Sequence, residues 1–162
     1  MKTILLILIL ASQLQASTRG DVLKAIESDR VSKFINSVWD DSKAISNKYK
    51  LPQGLLIAMA CLESGYGESS ICKEKNNFLG IKSTKKVNSK RPYRTFKTRL
   101  ECFDYWGKIL TRPCYKELPM TSLNICLYLL DSCGYHQSDN YSNKIRWIYK
   151  KYGLSKCDNW DK

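Results

Sequence analysis

Glu63 is the only carboxylate between Leu51 and Gly67, and it closes the strongly apolar run LPQGLLIAMACLE. Burying an ionised carboxylate is costly, so a glutamate in such a setting is paired, protonated or used in chemistry. A carboxyl whose pKa is raised by apolar neighbours keeps its proton near neutral pH. It can then hand that proton to a leaving oxygen, as the acid of a glycosidase must. The plain alternative is a helix-end glutamate at the surface, and this residue alone does not separate the two.

Other side chains near Glu63 in the sequence suit a sugar. Tyr66, Phe78 and Tyr141 are aromatics whose faces can stack on the apolar C–H side of a sugar ring. Asn76 and Asn77 can donate to hydroxyls, although asparagine in a turn as often serves its own backbone. Trp106 falls with Leu100, Phe103 and Leu110 at helical spacing and is read as core. His136 stands alone in a polar stretch, with no carboxylate or nucleophile at a recognisable spacing, and is read as a solvated surface residue. No CxxC pair occurs and His136 is the single histidine, so neither a metal site nor a cofactor is expected.

The elements that must position these residues follow from periodicity. Phe34, Val38, Ile45 and Tyr49 recur at spacings of four and seven, which predicts an amphipathic helix within residues 31–50. Pro52 opens a second helix that is apolar on nearly every face, and Gly65 ends it. From Asn76 to Phe96 the text turns to Gly, Asn, Ser, Lys and Pro with scattered β-formers, which predicts a loop and a short exposed hairpin. Thr98 and Glu101 form a capping box for the next helix. Two more helices are expected over 122–133, ending at Gly134, and over 140–152, ending at Gly153. The class is therefore α+β, mainly α. The tail after Leu154 is polar and expected to be loose unless Cys157 ties it down.

Composition restricts the setting. Residues 1–16 carry one charge, Lys2, then an apolar run from Ile4 to Ala11 and small residues near Ala16, the pattern of a cleaved secretory signal. The run is too short for a membrane span, which needs about 20 residues, so no stable membrane anchor is expected after cleavage. Residues 17–162 suffice for one core and hence a single domain. A formal net charge of +12 points to an anionic partner, and export makes nucleic acid the poorest candidate beside acidic lipid and anionic cell-wall polymer. Seven cysteines in an exported chain suggest disulfides, with six able to pair and one left over.

Four stretches together carry a family resemblance. Ala60, Glu63, Ser64, Gly65 and Gly67 match an A-x-x-E-S-G-x-G pattern, and Asn76, Asn77, Gly80, Ile81 and Lys82 match a relative of N-N-x-F-G-I-K. They are followed by YRTFKTRLECFDYWGKIL, Tyr93 to Leu110, and by GYHQSDNYSNKI, Gly134 to Ile145. In this order they resemble the glucosaminidase family of peptidoglycan hydrolases, which includes the flagellar muramidase domain and the bacterial autolysins, over about Phe34 to Tyr152. The resemblance implies a lysozyme-like fold, in which a helical lobe and a small β-hairpin lobe frame a glycan groove. It places Glu63 on the groove floor as general acid and Tyr135 as the groove tyrosine that helps at the reacting sugar. The bond implied is the β-1,4 linkage after N-acetylglucosamine in peptidoglycan strands.

The chain departs from that pattern in two places. Ser138 and Asp139 stand where the family often has Asp and Pro. Between Ile81 and Phe96 there is no Asp or Glu, although the family's hairpin often carries a second acid. The substrate's own 2-acetamido group can replace such an acid as nucleophile. A lytic transglycosylase also uses a lone Glu before Ser-Gly, and a catalytically inactive cationic wall-binding module would need no acid at all. These two remain the competing readings.

Overall fold

The computed structural model describes residues 19–24, 29–88, 90–116 and 122–158; the leader expected over 1–16 lies outside the described residues. Residues 19–24 are helical, and α1 (Asp29–Tyr49) follows. Helix α1 turns Val31, Phe34, Ile35, Val38 and Ile45 inward. Its spacing of apolar residues is what the sequence requires of a one-sided helix.

Helix α2 (Gln53–Ser64) is the axis of the molecule. Every residue from Gln53 to Cys61 is buried. Burying each of Leu55, Leu56, Ile57 and Met59 stabilises the fold by roughly 1.5–3 kcal/mol. A Leu56→Ala change therefore costs about 2–5 kcal/mol. In its first turn Gln53 donates to the Trp39 carbonyl and the Ser42 hydroxyl, both at 3.2 Å. Gly65 ends the helix at φ 58°, ψ 45°, a left-handed cap that returns its N–H toward the last turn.

Around α2 lie α3 (Ser70–Lys75), α4 (Arg99–Leu110), α5 (Pro113–Lys116), α6 (Leu123–Ser132) and α7 (Tyr141–Lys151), then a 3-10 turn, Leu154–Cys157. Helix α2 packs against α1, α7 and the 3-10 turn, and α1 packs against α4. Thr98 caps α4 by accepting from Glu101 N–H at 3.1 Å, while the Glu101 carboxylate reaches back to Lys97 N–H at 2.8 Å. The predicted box is thus made, with its return bond one residue earlier than usual. On α4, Phe103, Trp106 and Leu110 are buried as expected, whereas Leu100 faces solvent.

Three expectations need correction. The exposed hairpin is present only as a weakly paired excursion. Its antiparallel pairing consists of isolated bridges at Lys82–Tyr93 and Val87–Lys90, with Arg94 N–H donating to Ile81 O at 2.9 Å. Among the described residues no strand of ladder length forms. Pro92 has no N–H to give, the lysines repel one another, and Val87 is 60% exposed, so the excursion has no apolar face to bury.

The cysteines do not form a framework either. Cys114 and Cys133 are joined, closing a loop that stabilises the fold by roughly 3 kcal/mol in the chain-entropy account. Cys61, Cys72, Cys102, Cys126 and Cys157 remain thiols. Four of them are buried on helices, where they pack as small apolar residues. Burial pushes the Cys102 and Cys126 thiols up to about 12, so neither supplies a thiolate.

The tail, finally, is not loose up to Asp158, and Cys157 does not tie it down. Leu154 is fully buried, and the Asp158 carboxylate accepts from Gly54 N–H and from the Tyr149 hydroxyl, both at 2.8 Å. Gly54 makes this docking possible, since a Cβ there would lie 2.4 Å from the Leu154 carbonyl oxygen.

Candidate active site

Glu63 sits in the last turn of α2, partly buried, with its side chain against the loop that follows α3. That loop is fixed by Asn77, which is buried at 1% exposure. Its amide donates to the Ile81 and Arg94 carbonyls at 2.8 and 2.9 Å and accepts from Ile81 N–H at 2.9 Å. All its groups are spent on backbone, and they join the two sides of the excursion at its base. Asn76 does related work, donating to the Phe96 and Lys97 carbonyls at 3.2 Å from a left-handed backbone position.

The loop so held brings Gly80 onto the carboxylate. A Cβ at Gly80 would lie 2.7 Å from Glu63 Oε2, and φ there is +62°. Only glycine meets both demands without displacing the acid.

From the other side, α7 supplies Tyr141, whose hydroxyl donates to Glu63 Oε1 at 2.9 Å. Tyr135 lies beside it, ring centroids 6.1 Å apart, and its hydroxyl accepts from the Trp106 indole at 3.0 Å. Burial pushes the Tyr135 phenol far up, and the neighbouring Glu63 charge adds to that, so it acts as a neutral hydroxyl. Trp106, expected in the core, is fully buried and still reaches the site through this bond.

Burial raises the Glu63 pKa above the ordinary carboxylate range; the Tyr141 hydrogen bond and His136 oppose this. The C-terminal pole of α2 works in the same direction as burial, because it disfavours negative charge. The group is therefore biased toward its protonated form.

His136 is not the solvated residue expected. Its side chain is 15% exposed, its ring stacks on Tyr141 at 4.2 Å and 18°, and Nε2 lies 2.5 Å from Asp131 Oδ1. Ser142 donates to the same carboxylate at 2.7 Å. Sequence reasoning missed this cluster because Asp131 sits on α6, five residues upstream, where no motif marks it.

The remaining candidates lie to one side. Tyr66, Phe78 and Asn76 line a recess of about 580 Å3 together with Phe34, Arg30 and Arg99. Phe34 stacks on Phe78 at 6.3 Å and meets Tyr66 edge-on at 6.4 Å. Tyr66 also borders a second recess, about 370 Å3, which runs along α7 past Lys144 and the half-exposed Trp147. The structure thus gathers Glu63, Tyr135 and Tyr141 in one cluster, sets Tyr66, Phe78 and Asn76 around a recess whose lining includes none of those three, and buries Asn77 against the backbone of Ile81 and Arg94.

Other acids near the motifs are engaged elsewhere. Asp104 is partly buried, yet hydrogen bonds from Lys108, Lys48 and Tyr49 hold it at about 2. Glu68 is paired with Lys73 at 2.6 Å. No carboxylate acts on Glu63 among the described residues. Nor do the described residues place three or more His, Cys, Asp or Glu where they could hold a metal ion.

Comparison with known proteins fits this geometry. Residues 39–154 match the family model Glucosaminidase, described as mannosyl-glycoprotein endo-beta-N-acetylglucosaminidase. The exo-glucosaminidase LytG of Bacillus subtilis is 25% identical, the match covering 82% of this chain and 55% of that protein, so the chain spans about half the length of the curated relative it matches. The catalytic domain of the autolysin Auto from Listeria monocytogenes superposes with a TM-score of 0.67 at 22% identity, covering 88% of this chain and 97% of that one. The glycoside hydrolase domain of FlgJ from Salmonella typhimurium gives 0.61 at 23%, covering 77% and 89%. At such identities the structural likeness establishes the fold, the mainly helical lysozyme-like fold of glycoside hydrolases. The family model covers most of the chain, from the middle of α1 to the start of the final 3-10 turn, and so includes Glu63, Gly80, Tyr135 and Tyr141: the chain belongs to the glucosaminidase family of glycoside hydrolases.

Proposed function

We propose that the protein is an exported peptidoglycan hydrolase that cuts the β-1,4 bond after N-acetylglucosamine, with Glu63 as general acid. The observation that carries this reading is the setting of Glu63: a carboxyl raised by burial, held by one hydroxyl and packed against a glycine that leaves it room. Glu63 gives its proton to the glycosidic oxygen as the bond to C1 breaks. Because no second carboxylate acts there among the described residues, the 2-acetamido oxygen attacks C1 and closes an oxazolinium ring. Water then opens that ring at C1 and returns a proton to Glu63, so the product keeps its anomeric configuration. In this reading Tyr135, neutral and near the acid, hydrogen-bonds the acetamido group.

Export follows from the signal pattern at 1–16, and the net charge of +12 suits attraction to anionic wall polymers. The test is digestion of purified sacculi followed by borohydride reduction. New glucosaminitol ends, with a retained anomer by NMR, are expected; muramicitol ends overturn the bond assignment, and an inverted anomer overturns the acetamido route. The lone carboxylate also favours a second reading, a lytic transglycosylase, in which a sugar hydroxyl replaces water. Anhydro-muropeptides in the same digest identify that reaction, and absence of any cleavage identifies a binding module.

A further inference from the structure

Tyr141 is the first residue of α7, and Asn140, which precedes it, makes no side-chain capping bond. A helix start without such a bond is less firmly set. Yet the Tyr141 hydroxyl seats the Glu63 carboxyl at 2.9 Å, so its ring needs a hold that the helix end does not supply.

That hold is built from Asp131. Its Oδ1 accepts from the Ser142 hydroxyl at 2.7 Å, in the first turn of α7, and lies 2.5 Å from Nε2 of His136, in the loop before it. A carboxylate only accepts, so Nε2 carries the hydrogen of that bond. The His136 ring then lies flat on Tyr141, with centroids 4.2 Å apart and planes at 18°. Asp131 stands two residues before Cys133, whose disulfide to Cys114 holds the end of α6. One carboxylate oxygen thus ties the end of α6, the loop and the start of α7 together around the ring that bonds the acid. The histidine's other nitrogen is left over: Nδ1 is buried and has no hydrogen-bond partner among the described residues. Buried polar atoms are nearly always paired, and an unpaired one persists where its surroundings fix it. The loop presses the imidazole onto Tyr141 although one nitrogen goes unsatisfied.

We infer that His136 is a positioning residue of the reaction: anchored by Asp131, it fixes the plane of Tyr141 and, through the phenol, the place of the Glu63 carboxyl. It touches no substrate in this role, since its free nitrogen is enclosed. The inference rests on Glu63 being the acid. It adds that Asp131, His136 and Tyr141 act on that acid as one chain of contacts, running from α6 through the loop and α7 to the end of α2. His136 also bears on the carboxyl electrostatically, where it opposes the upward pull of burial.

The experiment is a double-mutant cycle. Turnover of soluble glycan strands released from sacculi is measured for the parent, His136→Ala, Tyr141→Phe and the double variant, each scaled to the folded fraction given by its melt. His136→Ala should lower kcat about fivefold, the scale of one misplaced hydrogen bond, with KM unchanged. In the Tyr141→Phe background the same substitution should remove less than about twofold, because residues that act through one another are not additive. The Asp131 side chain is 47% exposed, so replacing it leaves the core intact. Asp131→Ala should lose at least as much as His136→Ala, and Asp131→Asn, which keeps an oxygen to accept both bonds, should recover most of that loss. Equal losses from His136→Ala with and without the Tyr141 hydroxyl overturn the inference. So do a change in KM alone, full activity of Asp131→Ala, or an Asp131→Asn as impaired as Asp131→Ala. Failure of Glu63 as the acid looks different: Glu63→Gln then turns over near normally, whatever the His136 variants do.

Discussion

Asp158 and Glu63 occupy the two ends of one helix, and they differ in almost every respect that matters for a carboxylate. At the start of α2, Asp158 accepts one bond from Gly54 N–H and one from Tyr149, with the positive pole of the helix before it. At the end of α2, Glu63 has, among the described residues, a single hydroxyl partner, and the negative pole is behind it. Each relies on a glycine for room, Gly54 in one case and Gly80 in the other. Burial pushes both upward, Asp158 to about 6 despite its hydrogen bonds. A carboxylate enclosed by donors is a fastening; one with a single hydroxyl donor keeps acceptor and proton-donor capacity for a substrate.

The sharpest way to break the comparison is to remove the acid at each end. Glu63→Gln keeps shape and hydrogen-bonding capacity but has no proton to give, so hydrolysis should fall by about 10²–10⁴ with the melting curve almost unmoved. Near-normal turnover on purified peptidoglycan would show that Glu63 is not the acid. Gly80→Ala comes next, since it removes no catalytic group. Its new methyl would stand against Oε2 at a positive φ, so activity is expected to drop by about 10²-fold through displacement of the acid. A variant with unaltered kcat/KM would mean the carboxylate has slack in its seat.

At the other end, Asp158→Ala leaves a helix N–H and a buried phenol without their partner and should cost about 1–3 kcal/mol of stability, read in a denaturant melt. Activity per folded molecule should hold. The pH dependence follows from the sign of the shift. The folded state holds the Asp158 proton more tightly than the unfolded state, whose value is near 3.8, so stability is full below that pH and is lost as pH rises toward about 6. Asp158→Asn removes this titration, and its melting temperature should vary less across that window than the parent's. An unchanged slope would assign the pH dependence to other groups.

The comparison also explains what the sequence could convey. The end of α2 was legible because its signals are local: Gly65 caps the helix, a lone glutamate interrupts an apolar run, and Gly80 follows within one loop. At the start of α2 Pro52 marked where the helix begins, but the docking of the tail was not legible, because Asp158 reaches Gly54 across 104 residues and nothing in a polar tail announces it. The partner of His136 is only five residues away, but it lies on the preceding helix, and no motif marks an aspartate there as turned back to the loop. Helix boundaries at Thr98, Gly134 and Gly153 were readable from cap chemistry. The excursion at 82–95 was over-read, since β-forming residues do not make a ladder without an apolar face to cover. The cysteines were legible in part: Cys114 and Cys133 pair, but four of the seven pack as small core residues, which their spacing does not reveal.

The smallest effect is the most discriminating, because it asks whether the one partner Glu63 has is a support or a restraint. Tyr141→Phe removes the hydroxyl but keeps a ring for His136 to stack on. That hydroxyl favours the ionised form of Glu63, so its loss leaves burial less opposed and moves the Glu63 pKa further up. A general acid works while protonated, so hydrolysis declines as pH rises through that pKa, and in the variant the decline should begin at higher pH. Turnover at the optimum should fall by less than about tenfold, since one net hydrogen bond positions the group and nothing in the proton inventory is lost. The measurement is kcat/KM against pH on a soluble glycan, with parent and variant side by side. A basic limb displaced downward would mean that Tyr141 holds Glu63 in its protonated form, and the contrast with Asp158, whose donors favour its charged form, would then be stronger than the geometry indicates.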